Sequence, residues 1–224
     1  KGENTFKNAH CLGAKNLTNL CKEQNIERLI HVSALGVDKN KISSYAKTKL
    51  EAEQYIKKYK KSLVIRPSIV CGEEDNFINL FAKYARFSPF LPLIGGGKTK
   101  FQPISVIDLA NIILHCFDKN FKSGQILEVG GPDILSFKEI LEYIILELNL
   151  KRLMLSVSFN TARKIAFITE KLPISILTRD QVEMLKTDNI VEKNKSYKKF
   201  INHEANSFYI FAEKQLQKFK KGAG

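Results

Sequence analysis

Two short apolar runs constrain this chain more than any other feature. Arg28-Leu29-Ile30-His31-Val32-Ser33 and Ser62-Leu63-Val64-Ile65-Arg66 are nearly unbroken in hydrophobicity, without the polar alternation of a strand that shows one face to water. Strands of that kind are buried on both sides, which happens in parallel sheets covered by helices on both faces. The intervening segments supply the helices. Residues 4–24 carry Phe6, Ala9, Leu12, Gly13, Leu17, Leu20 and Cys21 as a helical stripe, and residues 44–60 carry Tyr45, Lys49, Ala52 and Ile56. Helix, strand, helix, strand in steps of this length predicts right-handed crossovers and an α/β, doubly wound fold.

Further along, the pattern loosens. It predicts a helix over 76–86, a loop marked by Pro89, Pro92 and Gly95-Gly96-Gly97, and a strand over 101–106. A helix over 107–117 and a strand over 125–129 follow, the latter closing on Gly130-Gly131-Pro132. Ser136 caps a helix reaching about Leu148, with Glu139 at the capping-box position. Beyond Leu150 no sheet pattern returns, and helices are expected over 160–171, 179–186 and 208–220. Phe81, Tyr84, Phe87 and Phe90 stand at helical spacing and are expected in the core or in a pocket wall.

With 44% apolar and 26% charged residues the chain can bury a core. No apolar run approaches the roughly 20 residues of a membrane-spanning helix. Lys1 is followed by methionine only at Met154 and Met184, which predicts that the sequence is part of a longer translation product. The net charge is +13, from 36 Lys and Arg against 23 Asp and Glu, and the excess is lysine rather than the arginine that reads bases and phosphates. Nucleic acid is therefore not an expected partner. The lysines of residues 39–61 and 193–221 read as a solvated surface, or as contact with an acidic partner or an anionic membrane surface. Cys11, Cys21, Cys71 and Cys116 lack metal-ligand spacing, as do His10, His31, His115 and His203, so no metal is expected and the thiols read as buried and reduced.

One constellation carries chemistry. Tyr45 and Lys49 stand four residues apart, so on a helix both side chains lie on one face. An ammonium beside a phenol favours the phenolate, which predicts a lowered Tyr45 pKa suited to general acid/base work. Ser33 ends the first strand and Arg66-Pro67-Ser68-Ile69-Val70-Cys71-Gly72 follows the second. Both lie at strand carboxyl ends, where open α/β sheets place their ligands.

These pieces together resemble the extended and atypical short-chain dehydrogenase/reductases. Gly13-Ala14-Lys15-Asn16-Leu17, the serine strand, Tyr45-Ala46-Lys47-Thr48-Lys49, Arg66-Pro67-Ser68 through Gly72 and Phe101-Gln102-Pro103 each match a family segment, over roughly residues 5–150. Within that superfamily, Glu74-Asp75-Asn76-Phe77, Pro92-Leu93-Ile94-Gly95 and Leu177-Thr178-Arg179-Asp180-Gln181 resemble the nucleotide-binding accessory subunits of respiratory complex I.

The resemblance implies a Rossmann-type sheet in residues 1–72, continued by about 101–130, and a substrate-type or partner-binding region in 73–100 and 131–224. It implies NAD or NADP as cofactor, Tyr45 as catalytic acid/base, Lys49 on the nicotinamide ribose, and Ser33 orienting a substrate oxygen. Pro67, Ser68, Ile69 and Val70 would lie beside the nicotinamide. It further implies complex I subunits as partners and a cytoplasmic place, peripheral on the inner face of an energy-transducing membrane. The alternative is a free reductase or epimerase acting on a nucleotide sugar or an isoprenoid or quinone-type substrate.

Three departures stand against the family pattern. The glycine-rich phosphate loop is not in this sequence, Ala34 replaces a second hydroxyl, and His10 stands where an asparagine is frequent. Gly95-Gly96-Gly97-Lys98-Thr99 reads as a turn rather than a phosphate loop, and Asp108 as a helix-start charge. The tail aromatics Tyr197, Phe200, Phe208, Tyr209 and Phe211 either dock on a membrane or partner, or pack on the chain itself.

Overall fold

The computed structural model describes residues 6–170, 177–193, 195–199 and 202–220. A π-helical turn, Lys7–Leu12, runs into α1 (Gly13–Glu23), followed by β1 (Leu29–Val32), α2 (Ser44–Ile56), β2 (Ser62–Pro67), β3 (Val70–Cys71) and α3 (Ile78–Phe87). Next come β4 (Phe90–Ile94), β5 (Lys100–Phe101), β6 (Ile104–Ser105), α4 (Val106–Phe117), β7 (Gln125–Val129), β8 (Leu135–Ser136) and α5 (Phe137–Glu147). β9 (Leu153–Val157), α6 (Phe159–Thr169), α7 (Arg179–Met184) and α8 (Phe208–Leu216) complete the order.

The chain forms two compact units. The first comprises Lys1–Ser68, Leu109–Gly130 and Val191–Glu204. Its sheet is β1-β2-β7, all parallel, with Leu29 opposite Ser62 and Leu63 opposite Gln125. Every residue of β2 is buried, which is why its sequence shows no alternation. Ala14, Cys21, Ala52, Ile56 and Tyr59 pack from the helical layer onto Leu29 and Val64. Small alanines in α2 let the neighbouring helix approach closely, while Ser43 caps α2 by accepting from the Ala46 amide at 3.1 Å.

The second unit comprises Ile69–Asp108, Gly131–Ile190 and Ala205–Gly224. Phe77, Phe81, Phe101 and Phe137 meet edge to face or tilted at its centre, with ring centroids between 5.1 and 6.4 Å apart. α5 starts with the expected capping box between Ser136 and Glu139. Gly131 lies so close to the Pro103 carbonyl that a Cβ there would sit 2.1 Å from its oxygen, so no other residue fits.

Three expectations require correction. The segment around Pro92 is not a loop: Phe90–Ile94 is a strand, paired in parallel with Leu153–Val157, where no strand was expected. A proline is compatible here because among the described residues β4 has a single partner strand, so its other edge needs no donor. The expected strand over 101–106 is two short ones, β5 and β6, interrupted by Gln102-Pro103. Phe87 and Phe90 are not core residues; Phe81 and Tyr84 pack against the core, whereas Phe87 is 88% exposed and Phe90 48%.

In the tail, Tyr197 and Phe208 are buried and Tyr209 is exposed, while Phe200 lies outside the described residues. All four cysteines are buried free thiols. Gly95, Gly96 and Gly97 form a turn with φ of +63°, +71° and +69°, left-handed values that explain the glycine run without a phosphate. Among the described residues no helix is long and apolar enough to cross a membrane.

Candidate functional site at the carboxyl ends of the parallel strands

The zipper of the parallel sheet continues past its strands. The Ser33 amide donates to the Ile65 carbonyl at 2.7 Å, Leu35 to Pro67 at 2.9 Å and Ser68 to Val129 at 2.8 Å. These bonds fix the three strand ends as one rim. Lys49, on α2, reaches that rim: its Nζ donates to the Val32 carbonyl at 3.3 Å, next in sequence to Ser33, and lies 6.0 Å from the Tyr45 ring centre. Tyr45 and Lys49 therefore share a helix face, as the four-residue spacing requires.

Two polar atoms at the rim stand out. Ser33 is 4% exposed, and among the described residues its Oγ has no hydrogen-bond partner; His31 Nε2, two residues earlier on the same side of the strand, has none among them either. A buried polar atom left unpaired is costly, and at a strand carboxyl end a ligand oxygen or amide can complete its bonding. The hydroxyl, the ammonium and the phenol form the chemistry expected at the nicotinamide-ribose end of a dinucleotide, so the residues present fit that part of such a group. His31 was not singled out from the sequence as part of this rim; its placement two residues before Ser33 was the available signal.

The electrostatics differ from expectation at Tyr45. Burial pushes its phenol above the ordinary value, instead of Lys49 pulling it below. The reason is geometric: the ammonium is committed to the Val32 carbonyl, and the phenol is packed by rings. His10 meets Tyr45 edge-on at 5.5 Å, and Phe6 stacks on His10 at 5.4 Å while meeting Tyr45 at 5.7 Å. Lys49 is itself lowered by desolvation, which Glu53 partly opposes. His31 is lowered to about 4, first by burial and then by Lys49, so it is neutral at physiological pH. His10 anchors through its ring Nδ1 to Thr48 Oγ1 at 2.9 Å, a side-chain contact in place of the backbone bonds that an asparagine would make.

Behind the rim lies an ion cluster. Arg66, 1% exposed, donates from Nε and one terminal nitrogen to the two oxygens of Glu53, both at 2.8 Å, and from the other nitrogen to Asp38 at 2.5 Å. Lys195, on the returning segment, sits 3.6 Å from Glu128, 3.8 Å from Asp38 and 2.9 Å from Glu192, and Glu192 also meets Lys39 at 2.9 Å. Arg66 thus sets the base of the segment that carries Pro67 and Ser68. The Pro67 carbonyl and the Ser68 amide are both spent in the rim bonds.

Ile69 and Val70 belong to the second unit, where the Ile69 carbonyl accepts from the Ile104 amide at 2.9 Å and Val70 pairs with Ile104. Asp108 is structural: it accepts from Ser105 Oγ at 2.7 Å and from the Asn206 amide at 2.9 Å. Among the described residues no group of three metal-ligating side chains converges.

Comparison with known proteins fits this geometry. Over 85% of the chain, it is 31% identical to NADH dehydrogenase (ubiquinone) 1 alpha subcomplex subunit 9, mitochondrial, of Arabidopsis thaliana. Over 98% it is 23% identical to the mitochondrial NADH-ubiquinone oxidoreductase 40 kDa subunit of Neurospora crassa. The chain spans 50% and 58% of the lengths of these two relatives. In fold it is similar to a dTDP-glucose 4,6-dehydratase of Bacillus anthracis solved with NAD, with a TM-score of 0.68 and 20% identity over 95% of this chain and 68% of that one. A family model described as NAD dependent epimerase/dehydratase matches residues 1–130 of the 224, and the chain belongs to that family.

Proposed function

We propose that the protein carrying this chain is an NAD(P)(H)-binding accessory subunit of NADH:ubiquinone oxidoreductase that holds its dinucleotide chiefly as a structural element. The family and the two mitochondrial relatives support the nucleotide and the partner. The observation that carries the structural role is the state of Tyr45. Its phenol is raised by burial, its ring meets Phe6 and His10 edge-on, and Lys49 is bonded to the Val32 carbonyl. A general acid/base works best near the ambient pH, and these contacts move Tyr45 away from it.

In this reading Lys49 and Tyr45 bind the nicotinamide ribose, Ser33 Oγ gains the partner it lacks, and Pro67, Ser68, Ile69 and Val70 border the nicotinamide. Bound nicotinamide would supply hydride chemistry; this chain would supply orientation and exclusion of water. The phosphate-binding loop is not among the 224 residues, so the pyrophosphate contacts fall to other residues of the protein. The site of action is the mitochondrial inner membrane, on the face where the enzyme oxidises NADH.

Native-gel fractionation of the source tests the proposal. The parent protein should co-migrate with NADH:quinone oxidoreductase activity; a separate soluble band would overturn it. One observation favours a second reading, a free reductase or epimerase acting on a nucleotide sugar or an isoprenoid or quinone-type substrate. Ser33, Tyr45 and Lys49 are all retained, and Ser33 Oγ is free to meet a substrate oxygen. In that case Tyr45→Phe abolishes turnover and leaves nucleotide affinity intact.

A further inference from the structure

The amino ends of the parallel strands carry a pocket of their own. It has a volume of about 370 Å³, and Glu27, Arg28, Lys60, Lys61, Ser62 and Asn120 line its polar side. All six lie in the first unit, in or beside the connections that enter β1, β2 and β7. Ser62 opens β2 and Pro67 closes it, so about 17 Å of strand separates this pocket from the rim that holds Ser33 and Lys49.

Its polar groups are short of partners. Ser62 is 3% exposed, and among the described residues its Oγ has no hydrogen-bond partner. Its backbone is satisfied, the amide donating to the Tyr59 carbonyl at 3.1 Å and the carbonyl accepting from the Gly124 amide at 2.9 Å, so the hydroxyl alone is left over. A buried hydroxyl in that state costs free energy that a ligand acceptor would recover. Arg28 donates from one terminal nitrogen to the carbonyls of Cys116 at 3.1 Å and Lys119 at 2.5 Å. Those bonds fix the guanidinium and leave its other terminal nitrogen and Nε uncommitted among the described residues. Lys60 and Lys61 make no ion pair among the described residues, although Glu27 lines the same pocket. Three cations against one carboxylate give the lining a formal charge of +2. Leu63 and Phe121 add an apolar wall.

We propose that this pocket binds a small phosphate monoester, with the phosphate between Arg28, Lys60 and Lys61 and the organic part against Phe121. A fixed guanidinium offers its remaining donors to two oxygens of a tetrahedral anion, the ammoniums meet its charge, and the Ser62 hydroxyl gains an acceptor. The lining charge matches a phosphate dianion, whereas a monocarboxylate would leave one cation unmatched. The volume is that of a small-molecule pocket and exceeds what the free ion fills, which selects an ester over inorganic phosphate. The inference stands apart from the subunit reading and from the dinucleotide rim.

Calorimetric titration of the full-length protein with glycerol 3-phosphate at about pH 8, where the monoester is a dianion, tests it. Wild type should bind the ester saturably, bind inorganic phosphate more weakly and leave acetate unbound, and saturating NADH should change none of this. Lys60→Glu with Lys61→Glu alters only exposed side chains and should weaken binding by about tenfold or more. Ser62→Ala removes an unpaired hydroxyl, so it should unfold at equal or higher denaturant while binding the ester several-fold more weakly. Lys15→Glu with Lys22→Glu, at exposed positions of α1, makes the same change in net charge and should leave the affinity unaltered.

Failure of wild type to bind, or unaltered affinity in either the Lys60 and Lys61 variant or Ser62→Ala, overturns the inference. An equal loss in the Lys15 and Lys22 variant would show a general charge effect in place of a site and overturns it too. Displacement of the ester by NADH would return the anion to the dinucleotide site, and acetate binding as tight as the ester's would remove phosphate as the ligand class; each overturns the inference as stated.

Discussion

Arg66 and Glu53 face each other through two parallel hydrogen bonds of 2.8 Å, both side chains almost wholly out of water. Arg66 lies on β2 and Glu53 on α2, so the pair ties the helix carrying Tyr45 and Lys49 to the strand leading to Pro67. Burial works against the Arg66 charge, yet its bonds to Glu53 and Asp38 raise its pKa, so it stays charged at any accessible pH.

Removing one partner of a buried pair strands the other charge. Arg66→Met should therefore destabilise the protein by roughly 3–5 kcal/mol, because Glu53 is left buried without its two hydrogen bonds and with only Lys57, at 3.7 Å, as a counter-charge. Glu53→Gln keeps two hydrogen-bonding atoms and should cost less. Denaturant unfolding of both variants checks the order; equal stability of Arg66→Met and wild type would show that the cluster contributes nothing.

Acid acts on the same cluster from its outer side. The hydrogen bonds from Lys195 and Lys39 hold Glu192 at about 2, below the ordinary carboxylate value of 4.5. A depressed folded pKa gives stabilisation that is fully present above about 4.5 and is lost as pH falls towards 2. The segment carrying Glu192 and Lys195 should loosen in that window, while Glu192→Gln should reduce the acid dependence to the part carried by Asp38, whose carboxyl burial would raise but Arg66 and Lys195 hold below the usual range. Hydrogen exchange of the Glu128 amide, which donates to the Lys195 carbonyl at 2.8 Å, reports it.

The sequence made the helix–strand alternation legible because β2 is buried on both faces, and burial writes itself as an apolar run; β1 carries a similar run although only Leu29 of its four residues is buried and Val32 is exposed. The four-residue spacing put Tyr45 and Lys49 on one helix face, but that spacing is common in a lysine-rich helix, and the strand ends at Ser33 and Arg66 were what singled it out. β4 was not, since Pro92 reads as a breaker unless the strand is known to have one neighbour, and β9 was missed because its partner lies about sixty residues earlier. The contacts of Arg66 with Asp38, and of Lys195 with Glu128, join segments far apart in sequence, and no local period records them. The fate of the Tyr45 phenol was misread for a related reason: i,i+4 spacing places Lys49 on the same face but does not reveal that the Val32 carbonyl takes its ammonium.

Lys49 offers a test that separates binding from chemistry. Lys49→Met in the full-length protein should weaken dinucleotide binding by about tenfold, since a charge-assisted bond contributes roughly 1.5–3 kcal/mol. Tyr45→Phe should change affinity by much less. Calorimetric titration with NADH and NADPH gives both numbers, and unaltered affinity in Lys49→Met would remove the lysine from the ribose.

Ser33 sets stability against function within one atom. Its hydroxyl is buried without a partner among the described residues, so the free protein bears a desolvation cost that Ser33→Ala relieves at almost no change in volume. The variant should unfold at equal or higher denaturant, by up to about 1 kcal/mol, while losing the bond that a ligand oxygen would make. A hydroxyl kept only for packing would give a different pattern: Ser33→Ala would bind nucleotide and substrate as wild type does. Greater stability together with weaker binding therefore identifies the rim as a ligand site, and greater stability with unchanged binding removes Ser33 from it.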